Sequence, residues 1–418
     1  MTKLVRLPVI AAMTLIVMAL QATPARAEYR MIPSLTLGEE YNDNIYLRTT
    51  DRFSDYITHV APSLAFTYKA SLWDWDGFAA YDYYDYARVT ITENNAPRAH
   101  ITNLTRVASG VLFLSLTENY QKISQELQRD YTQLSSFVNQ TEQNIFSVNP
   151  YATLHPSIRT SVDAGYLYRN TWYKDPRSID KIDHITYTEM KHEVSPTISS
   201  TAAAHYTLNR NTVQNYDKID VSAGLKYEYT GSSNIYGTIG NAWLSAESVG
   251  RETQVFWNAG LVHNLPKLTF TIETVSSYVE DPLRVLRRVD RYAAGIKRED
   301  ERTSLGLTGA LQEYRNAKTK QLEQTSYTAS GSVSHEITTQ SKAFLDLYTQ
   351  RLEENLLDTY TVLYLAAVRY EYTGWETLTV AVAYRYSNNR NPYHPDLGPY
   401  YDGNYYNNRF IVEIRKVF

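Results

Sequence analysis

Two pairs of closely spaced carboxylates are the first residues in this sequence that could do chemistry. Asp74 and Asp76 flank Trp75, and Asp82 and Asp85 follow a few residues later. Retaining glycoside hydrolysis uses two carboxyl groups about 5 to 5.5 Å apart across a cleft. Alternation along a strand puts Asp74 and Asp76 on one face but supplies no cleft. We therefore expect acidic residues beside interfacial aromatic rings rather than a hydrolytic pair.

The segment Ser334-His335-Glu336 comes nearest to a nucleophilic site. Acyl hydrolysis requires a serine within hydrogen-bonding reach of a histidine base. Neighbouring residues in a strand point to opposite faces, so Ser334 and His335 cannot act together. The nine histidines are scattered, and neither G-x-S-x-G nor H-E-x-x-H occurs. We predict no catalytic residues and no enzymatic activity.

Cofactor chemistry has little support in the composition. The chain has no cysteine, so no disulfide, haem or iron–sulfur cluster can be held through thiols. Asp43 with Asp51 or Asp55 could bind calcium, because loop carboxylates suit a hard cation. Alternatively, Asn42, Asp43 and Asn44 form a structured turn, because Asx side chains bond their own backbone. We favour the turn and predict no cofactor and no metal.

The first 27 residues have the form of a secretory signal peptide. Lys3 and Arg6 precede a short apolar stretch, and Ala25-Arg-Ala27 has the small-x-small form that a signal peptidase cuts. We expect cleavage before Glu28, leaving residues 28–418 as the mature domain. An uncleaved anchor, the alternative, would need a longer apolar stretch.

Charge and aromatic content narrow the class of the mature chain. The formal net charge of the full chain is −4, and it becomes more negative once the basic signal peptide is removed, so nucleic acid is not an expected partner. Tyrosine accounts for 37 of 418 residues, against 11 Phe and 6 Trp. Phenol rings suit the interfacial girdles and polar lumens of membrane β-barrels.

Strict period-two alternation predicts the elements that must position these residues. One face carries Ile219, Val221, Ala223, Leu225, Tyr227 and Tyr229, and the other carries Asp220, Ser222, Gly224, Lys226, Glu228 and Thr230. Segments of this kind fill the mature chain, and short turns alternate with longer polar connections. The longer connections are predicted near residues 42–55, 89–99, 125–140, 174–184, 281–290 and 388–404.

We therefore predict an all-β fold, a transmembrane antiparallel β-barrel of about 18–20 strands with both termini in the periplasm. A soluble β-sandwich or propeller would need a second apolar face. Within residues 125–140, Leu127, Tyr131, Leu134 and Val138 lie at helical spacing. A polar surface loop is favoured there, and a short helix folded over or into the pore is the alternative.

The C-terminal strand ends on an aromatic residue. Phe410, Val412, Ile414 and Phe418 share one face, and Lys416 departs from that pattern. The terminus resembles the signal by which the barrel-assembly machinery recognises outer-membrane barrels. We therefore predict Phe418 as an assembly signal, with lipid and that machinery as partners.

The first hairpin resembles a known family. The segment Ile32-Pro-Ser-Leu-Thr-Leu-Gly-Glu-Glu-Tyr-Asn-Asp-Asn-Ile-Tyr-Leu47, followed by Val60-Ala-Pro-Ser-Leu64, is similar to outer-membrane barrels associated with PEP-CTERM/exosortase and exopolysaccharide gene clusters. The resemblance implies the outer membrane of a Gram-negative bacterium and export of a polysaccharide with periplasmic components. Two alternatives stay open: a structural or adhesion barrel with a plugged lumen, and a general diffusion porin.

Candidate site residues follow from the polar faces and the last loop. The predicted lumen-lining residues are Arg169, Lys226, Glu228, Arg369, Glu371 and Arg385. Neither sign of charge dominates, so a simple ion filter is not expected. The predicted loop contacts for sugar are Asn42, Asp43, Asn44, Tyr400, Tyr401 and Tyr405, because rings stack on pyranoses while amides bond hydroxyls. An ordinary surface loop stiffened by prolines is the alternative.

Overall fold

The computed structural model describes residues 27–88, 95–108, 110–125, 130–134, 138–211, 213, 215–246, 250–375, 377–391 and 404–418. The predicted signal peptide, apart from Ala27, lies outside these ranges. The strands are β1 (Glu28–Asn42), β2 (Asp55–Lys69), β3 (Trp73–Tyr86), β4 (Ala96–Ala108), β5 (Leu112–Ser124), β6 (Gln140–Ser157), β7 (Thr160–Tyr173), β8 (Lys181–Ser195), β9 (Ile198–Asn211), β10 (Tyr216–Glu228), β11 (Asn234–Ala246), β12 (Gly250–Leu265), β13 (Leu268–Asp281), β14 (Arg284–Glu299), β15 (Thr303–Asn316), β16 (Leu322–Glu336), β17 (Ser341–Glu354), β18 (Thr359–Trp375), β19 (Leu378–Arg390) and β20 (Tyr405–Val417). A single 3-10 turn, Tyr131–Gln133, is the helical element within the described ranges.

The 20 strands form one closed antiparallel barrel, which confirms the predicted fold class. Each strand pairs with the next in sequence, and β20 pairs with β1 through contacts such as Tyr41 opposite Phe410. The Phe418 amide donates to the Pro33 carbonyl at 2.9 Å, so the chain end closes against the first strand. No helix in the described part of the chain is long and apolar enough to cross a membrane.

The alternating side chains separate into an apolar outer face and a polar inner face. On β10, Ile219, Val221, Leu225 and Tyr227 are 45, 45, 63 and 48% exposed. Antiparallel partners share a face, so the register extends this exposed apolar surface around the barrel. Such a belt is stable only in lipid, and the chain is accordingly an outer-membrane barrel.

Lys416, the departure from the terminal pattern, lies on the outer face of the barrel beside the turn between β18 and β19. Its ammonium donates to the Thr377 hydroxyl at 2.5 Å. A lysine at a rim can keep its stem against apolar surface and its charge in the interface.

One predicted loop is wrong. Residues 281–290 were expected to form a long connection, but β13 and β14 are joined by a turn at 282–283. Ser276 lies opposite Asp290, and its hydroxyl donates to that carboxylate at 2.5 Å. Arg288 also contacts Asp290, at 3.0 Å. The strands extend beyond the apolar belt, so their polar residues pair across the ladder instead of leaving it.

The connection between β5 and β6 folds inward. Leu134 is 1% exposed and packs in a cluster with Leu363 of β18 and Tyr405 of β20. Because β18 and β20 lie several strands from β5, residues 130–134 reach across part of the lumen. The favoured interpretation of a surface loop is wrong for residues 130–134, which we call the inner segment.

Candidate functional site in the barrel lumen

The structure places all six predicted lumen residues on the inner face but does not bring them all together. Arg369, Glu371 and Arg385 lie on the adjacent strands β18 and β19, and the other three lie on β7 and β10. The Arg369 guanidinium is 2.8 Å from Glu371 and 3.6 Å from Glu413 of β20. Alternation in the sequence therefore predicted that these residues face the lumen. The strand pairing of β18 with β19 shows in addition that three of them lie close together.

The acidic pairs that suggested hydrolysis have other contacts. Asp82 is buried and accepts from Arg98 at 2.6 Å, whereas Asp85 lies on the outer face of the same strand. Ser334 and His335 also lie on opposite faces, and His335 contacts the Thr303 hydroxyl at 2.9 Å. Neither set presents a nucleophile or acid–base pair to a common cleft.

Aromatic rings form a band across one wall of the lumen. In register, Phe113 of β5 lies opposite Tyr151, Tyr151 opposite Gly165, Gly165 opposite Tyr187, and Tyr187 opposite His205 of β9. The Phe113 and Tyr151 rings are stacked with centroids 5.1 Å apart. The Tyr187 and His205 rings meet edge to face at 6.1 Å. Strands β5 to β9 thus carry a nearly continuous aromatic surface, which we call the aromatic band.

Glycine holds the Tyr187 ring against the wall. A Cβ at Gly165 would lie 2.7 Å from the Tyr151 Cβ and 2.7 Å from the Tyr187 hydroxyl, so only glycine fits there without a shift. The same device recurs on β11 and β12, where Phe256 lies over Gly240 and Tyr236 over Gly260. Rings that lie over glycine occupy little of the lumen and leave one face open to it.

The Asn42-Asp43-Asn44 signature closes the barrel seam at its outer end. The Asn44 backbone N–H donates to the Asn42 side-chain Oδ1 at 3.0 Å, which is an Asx turn. Both Asp43 oxygens accept from Asn408, at 2.7 Å from its backbone and 2.6 Å from its side chain. Asn407 donates to Asn42 at 2.5 Å. These contacts latch the first hairpin to β20.

The latch changes the interpretation of the predicted sugar contacts. Asn42 and Asn44 are 4% and 0% exposed, so their amides serve the seam and are not available to an outer ligand. Tyr405, expected on a loop, is the first residue of β20 and is 7% exposed inside the barrel. Tyr400 and Tyr401 lie outside the described residues. Within the described ranges of the chain, no group of three or more His, Asp or Glu side chains could hold a metal ion.

The inner segment is held by apolar packing and by one arginine. Leu134 packs with Leu47, Leu363 and Tyr405. Arg409 donates to the Gln133 carbonyl at 3.1 Å. The same guanidinium makes two 2.8 Å hydrogen bonds to the Glu40 carboxylate across the β1–β20 seam.

Two cavities lie against the part of the barrel wall that flanks the β1–β20 pairing, from β16 to β20 and from β1 to β4, which we call the seam wall. The upper cavity is the one beside Asn407 and the Asn42-Asp43-Asn44 turn. The upper cavity has a volume of about 410 Å³ and lies between Gln133 and the wall formed by β16 to β20. The lower cavity, of about 510 Å³, is lined by β1 to β4 and β18 to β20, and includes Arg369 and Glu413. Small side chains such as Ser332 and Ala381 leave this space open.

The loop between β7 and β8 is stiffened by a local ion pair at the outer mouth. Arg177 contacts Asp175 at 2.7 Å. Hydrogen bonds from the Arg177 side chain hold the pKa of Asp175 well below its ordinary value. The pair therefore stays charged at any pH at which the protein is expected to work.

Known proteins resemble the chain in fold. No protein-family model and no curated protein matches it. Among solved structures, the FrpB iron transporter from Neisseria meningitidis is 8% identical, with 93% of this chain and 82% of that chain covered and a TM-score of 0.51. A variant of the ferric enterobactin receptor PfeA from Pseudomonas aeruginosa is 10% identical, with 93% and 80% covered and a TM-score of 0.54. The siderophore receptor PirA of the same organism is 9% identical, with 94% and 81% covered and a TM-score of 0.50. At these identities the likeness is one of fold.

Proposed function

We propose that the barrel is an outer-membrane channel for export of a secreted polysaccharide, working with periplasmic and inner-membrane synthesis components. The aromatic band carries this proposal. Aromatic rings with one open face can stack on the apolar face of a pyranose, and polar neighbours can bond its hydroxyls. A row of such rings on adjacent strands offers a polymer successive stacking positions.

The lumen charges are consistent with a polymer as cargo. Inward arginines and lysines are mostly paired with carboxylates, as in Arg291 with Glu273 at 2.8 Å and Lys218 with Asp220 at 2.8 Å. Paired charges create little net field along the pore. The wall therefore provides hydrogen-bonding groups without strongly favouring small cations or anions.

The inner segment favours a second candidate, a structural or adhesion barrel with a plugged lumen. Leu134 is fully buried against β18 and β20, which narrows the outer part of the pore. A general diffusion porin remains the third candidate. Uptake of ferric siderophores, as the solved receptors are described, would require binding of an iron chelate.

Single-channel recording in planar bilayers tests these alternatives. Neutral oligosaccharides such as maltoheptaose should block the current, and Tyr187→Ala should weaken the block by roughly fivefold, equivalent to about 1 kcal/mol of ring contact. Tyr206→Ala is the matched control, because Tyr206 is 42% exposed on the outer face of β9.

Other outcomes separate the candidates. Current without any sugar block indicates a diffusion porin, and no current in any variant indicates a plugged barrel. Block of the current by a ferric siderophore but not by sugars would indicate uptake of that chelate. In cells, deletion of the gene should abolish surface polysaccharide, and a deletion strain that still displays its polymer would contradict export.

A further inference from the structure

Three arginines lie close together on the seam wall. Arg385 of β19 lies directly opposite Arg409 of β20. Arg369 of β18 is opposite Ala383, two residues from Arg385, and is therefore its diagonal neighbour. Like charges directly opposite in a sheet repel each other, so such a cluster needs compensation.

Carboxylates compensate two of the three arginines. Arg409 makes its two-pronged contact with Glu40, and Arg369 contacts Glu371 and Glu413. No described residue forms an ion pair or hydrogen bond with Arg385, whose side chain is exposed to the lumen. One guanidinium of the cluster thus has its hydrogen-bond donors free.

The free guanidinium lines the upper cavity of the seam wall. Arg385 and Asp346 of β17 are both opposite Ala367 of β18, so they flank one small residue from two strands apart. Their Cα atoms are separated by roughly 10 Å, twice the spacing of neighbouring strands. Asp346 also lacks a described ion-pair or hydrogen-bond partner. Each residue faces the space that Ala367 leaves open.

The remaining lining supplies groups suited to a ring with hydroxyls. Tyr348 gives an aromatic side chain, and Ser332, Ser387 and Asn407 line the cavity around it. Gln133 of the inner segment lies on the lumen side. The cavity of about 410 Å³ is therefore bounded by wall on one side and by the inner segment on the other.

We propose that the upper cavity is a binding site for one carboxylate-bearing sugar, a uronic acid residue of the exported chain. Arg385 binds the sugar carboxylate through two parallel N–H donors, a geometry that guanidinium and carboxylate share. Asp346 accepts hydrogen bonds from sugar hydroxyls on the opposite side. The assignment rests on the proposed export function for its biological meaning.

The two free charges also disfavour simpler ligands. Asp346 repels a plain anion that approaches Arg385, because like charges disfavour each other at short range. A neutral sugar offers the guanidinium only hydroxyl acceptors, which bind it more weakly than a carboxylate does. A ligand with a carboxylate at one end and hydroxyls at the other satisfies both residues.

Isothermal titration calorimetry on the detergent-solubilised mature barrel tests the site, with trigalacturonate as the acidic probe and maltotriose as the neutral one. The acidic probe should bind better than the neutral one. Arg385→Gln should weaken trigalacturonate binding by about tenfold or more, since hydrogen bonds between charged groups are the strong ones. Arg385→Lys should give an intermediate loss of trigalacturonate binding, because lysine keeps the positive charge but lacks the two parallel N–H donors.

Arg291→Gln is the matched control. Arg291 is an inward arginine on β14, and its removal changes the lumen charge by the same amount without touching the cavity. It should leave trigalacturonate binding within about twofold of the native barrel. Heat-modifiable electrophoretic mobility verifies that each variant is folded.

The outcomes distinguish this site from the export proposal. Equal losses in Arg385→Gln and Arg291→Gln, or no acidic-sugar binding by the native barrel, would overturn the site while sugar block at the aromatic band could still support export. A specific loss in Arg385→Gln supports the site even where a deletion strain retains its surface polymer, in which case export alone fails.

Discussion

Replacing Leu134 by alanine should release the inner segment and widen the pore. Leu134 is 1% exposed in a cluster with Leu47, Leu363 and Tyr405. Residues 130–134 are also held by the hydrogen bond from Arg409 to the Gln133 carbonyl and by contacts with β5. Apolar packing of one leucine therefore supplies much of the free energy that holds the segment on the wall.

The size of the effect follows from the buried side chain. Leucine-to-alanine changes in packed cores cost about 2–5 kcal/mol, and the higher values come from cavities that stay empty. Lumen water can fill the space left by Leu134, so a cost of about 2 kcal/mol is expected. That shifts the ratio of docked to released segment by roughly thirtyfold. The barrel wall keeps its strand pairing, so its unfolding midpoint should change little.

Single-channel recording measures the shift directly. In Leu134→Ala, the fraction of time spent in a larger conductance state should rise by roughly the same factor while that state remains rare. Leu356→Ala is the matched control, because Leu356 is 55% exposed on the turn between β17 and β18. Native conductance and gating in a folded Leu134→Ala barrel would refute the idea that this segment narrows the pore.

Three further changes test the seam, the aromatic band and the outer mouth. Glu40→Gln should lower stability by about 3 kcal/mol in urea titrations by leaving a buried guanidinium without its partner, and a double variant with Arg409→Gln should recover part of the loss. Gly165→Ala should push the Tyr187 ring into the lumen and lower single-channel conductance, at a stability cost of about 1–3 kcal/mol. The pKa of Asp175 is depressed in the folded protein, which means that its ionised form stabilises the loop. This contribution to loop stability is complete above about pH 4 and is lost as the pH falls through the depressed pKa. Hydrogen exchange in residues 174–180, corrected for intrinsic rate, should match at about pH 6 and pH 5 and accelerate below about pH 3.

Local patterns in the sequence were sufficient for the wall of the barrel. Alternation along β10 predicted which of its residues face lipid, because the side-chain period of a strand is independent of its neighbours. The same alternation assigned Arg369 and Arg385 to the inner face. The aromatic terminal strand predicted that the barrel closes on its first strand, and the hydrogen bond from the Phe418 amide to the Pro33 carbonyl agrees with this.

Contacts between distant strands could not be predicted in the same way. Tyr187 lies over Gly165 only because β7 and β8 pair in one register, and a single sequence does not reveal a register. Asp346 and Arg385 flank Ala367 of β18 for the same reason. Leu134 showed a helical spacing, but nothing local to it indicates that its partners are on β18 and β20.

The placement of the inner segment bears on whether the barrel conducts. The segment leaves β5, at one edge of the aromatic band, and contacts β5 itself as well as the first hairpin and the seam wall at β18 and β20. The rings of Tyr151 and Tyr187 lie on β6 and β8, on a different part of the wall. Residues 130–134, docked on the seam wall, narrow the lumen from that side and make no described contact with the rings of Tyr151 and Tyr187. Partial conductance with the segment docked is therefore expected, together with sugar block that depends on the rings, a combination that a fully plugged barrel cannot produce.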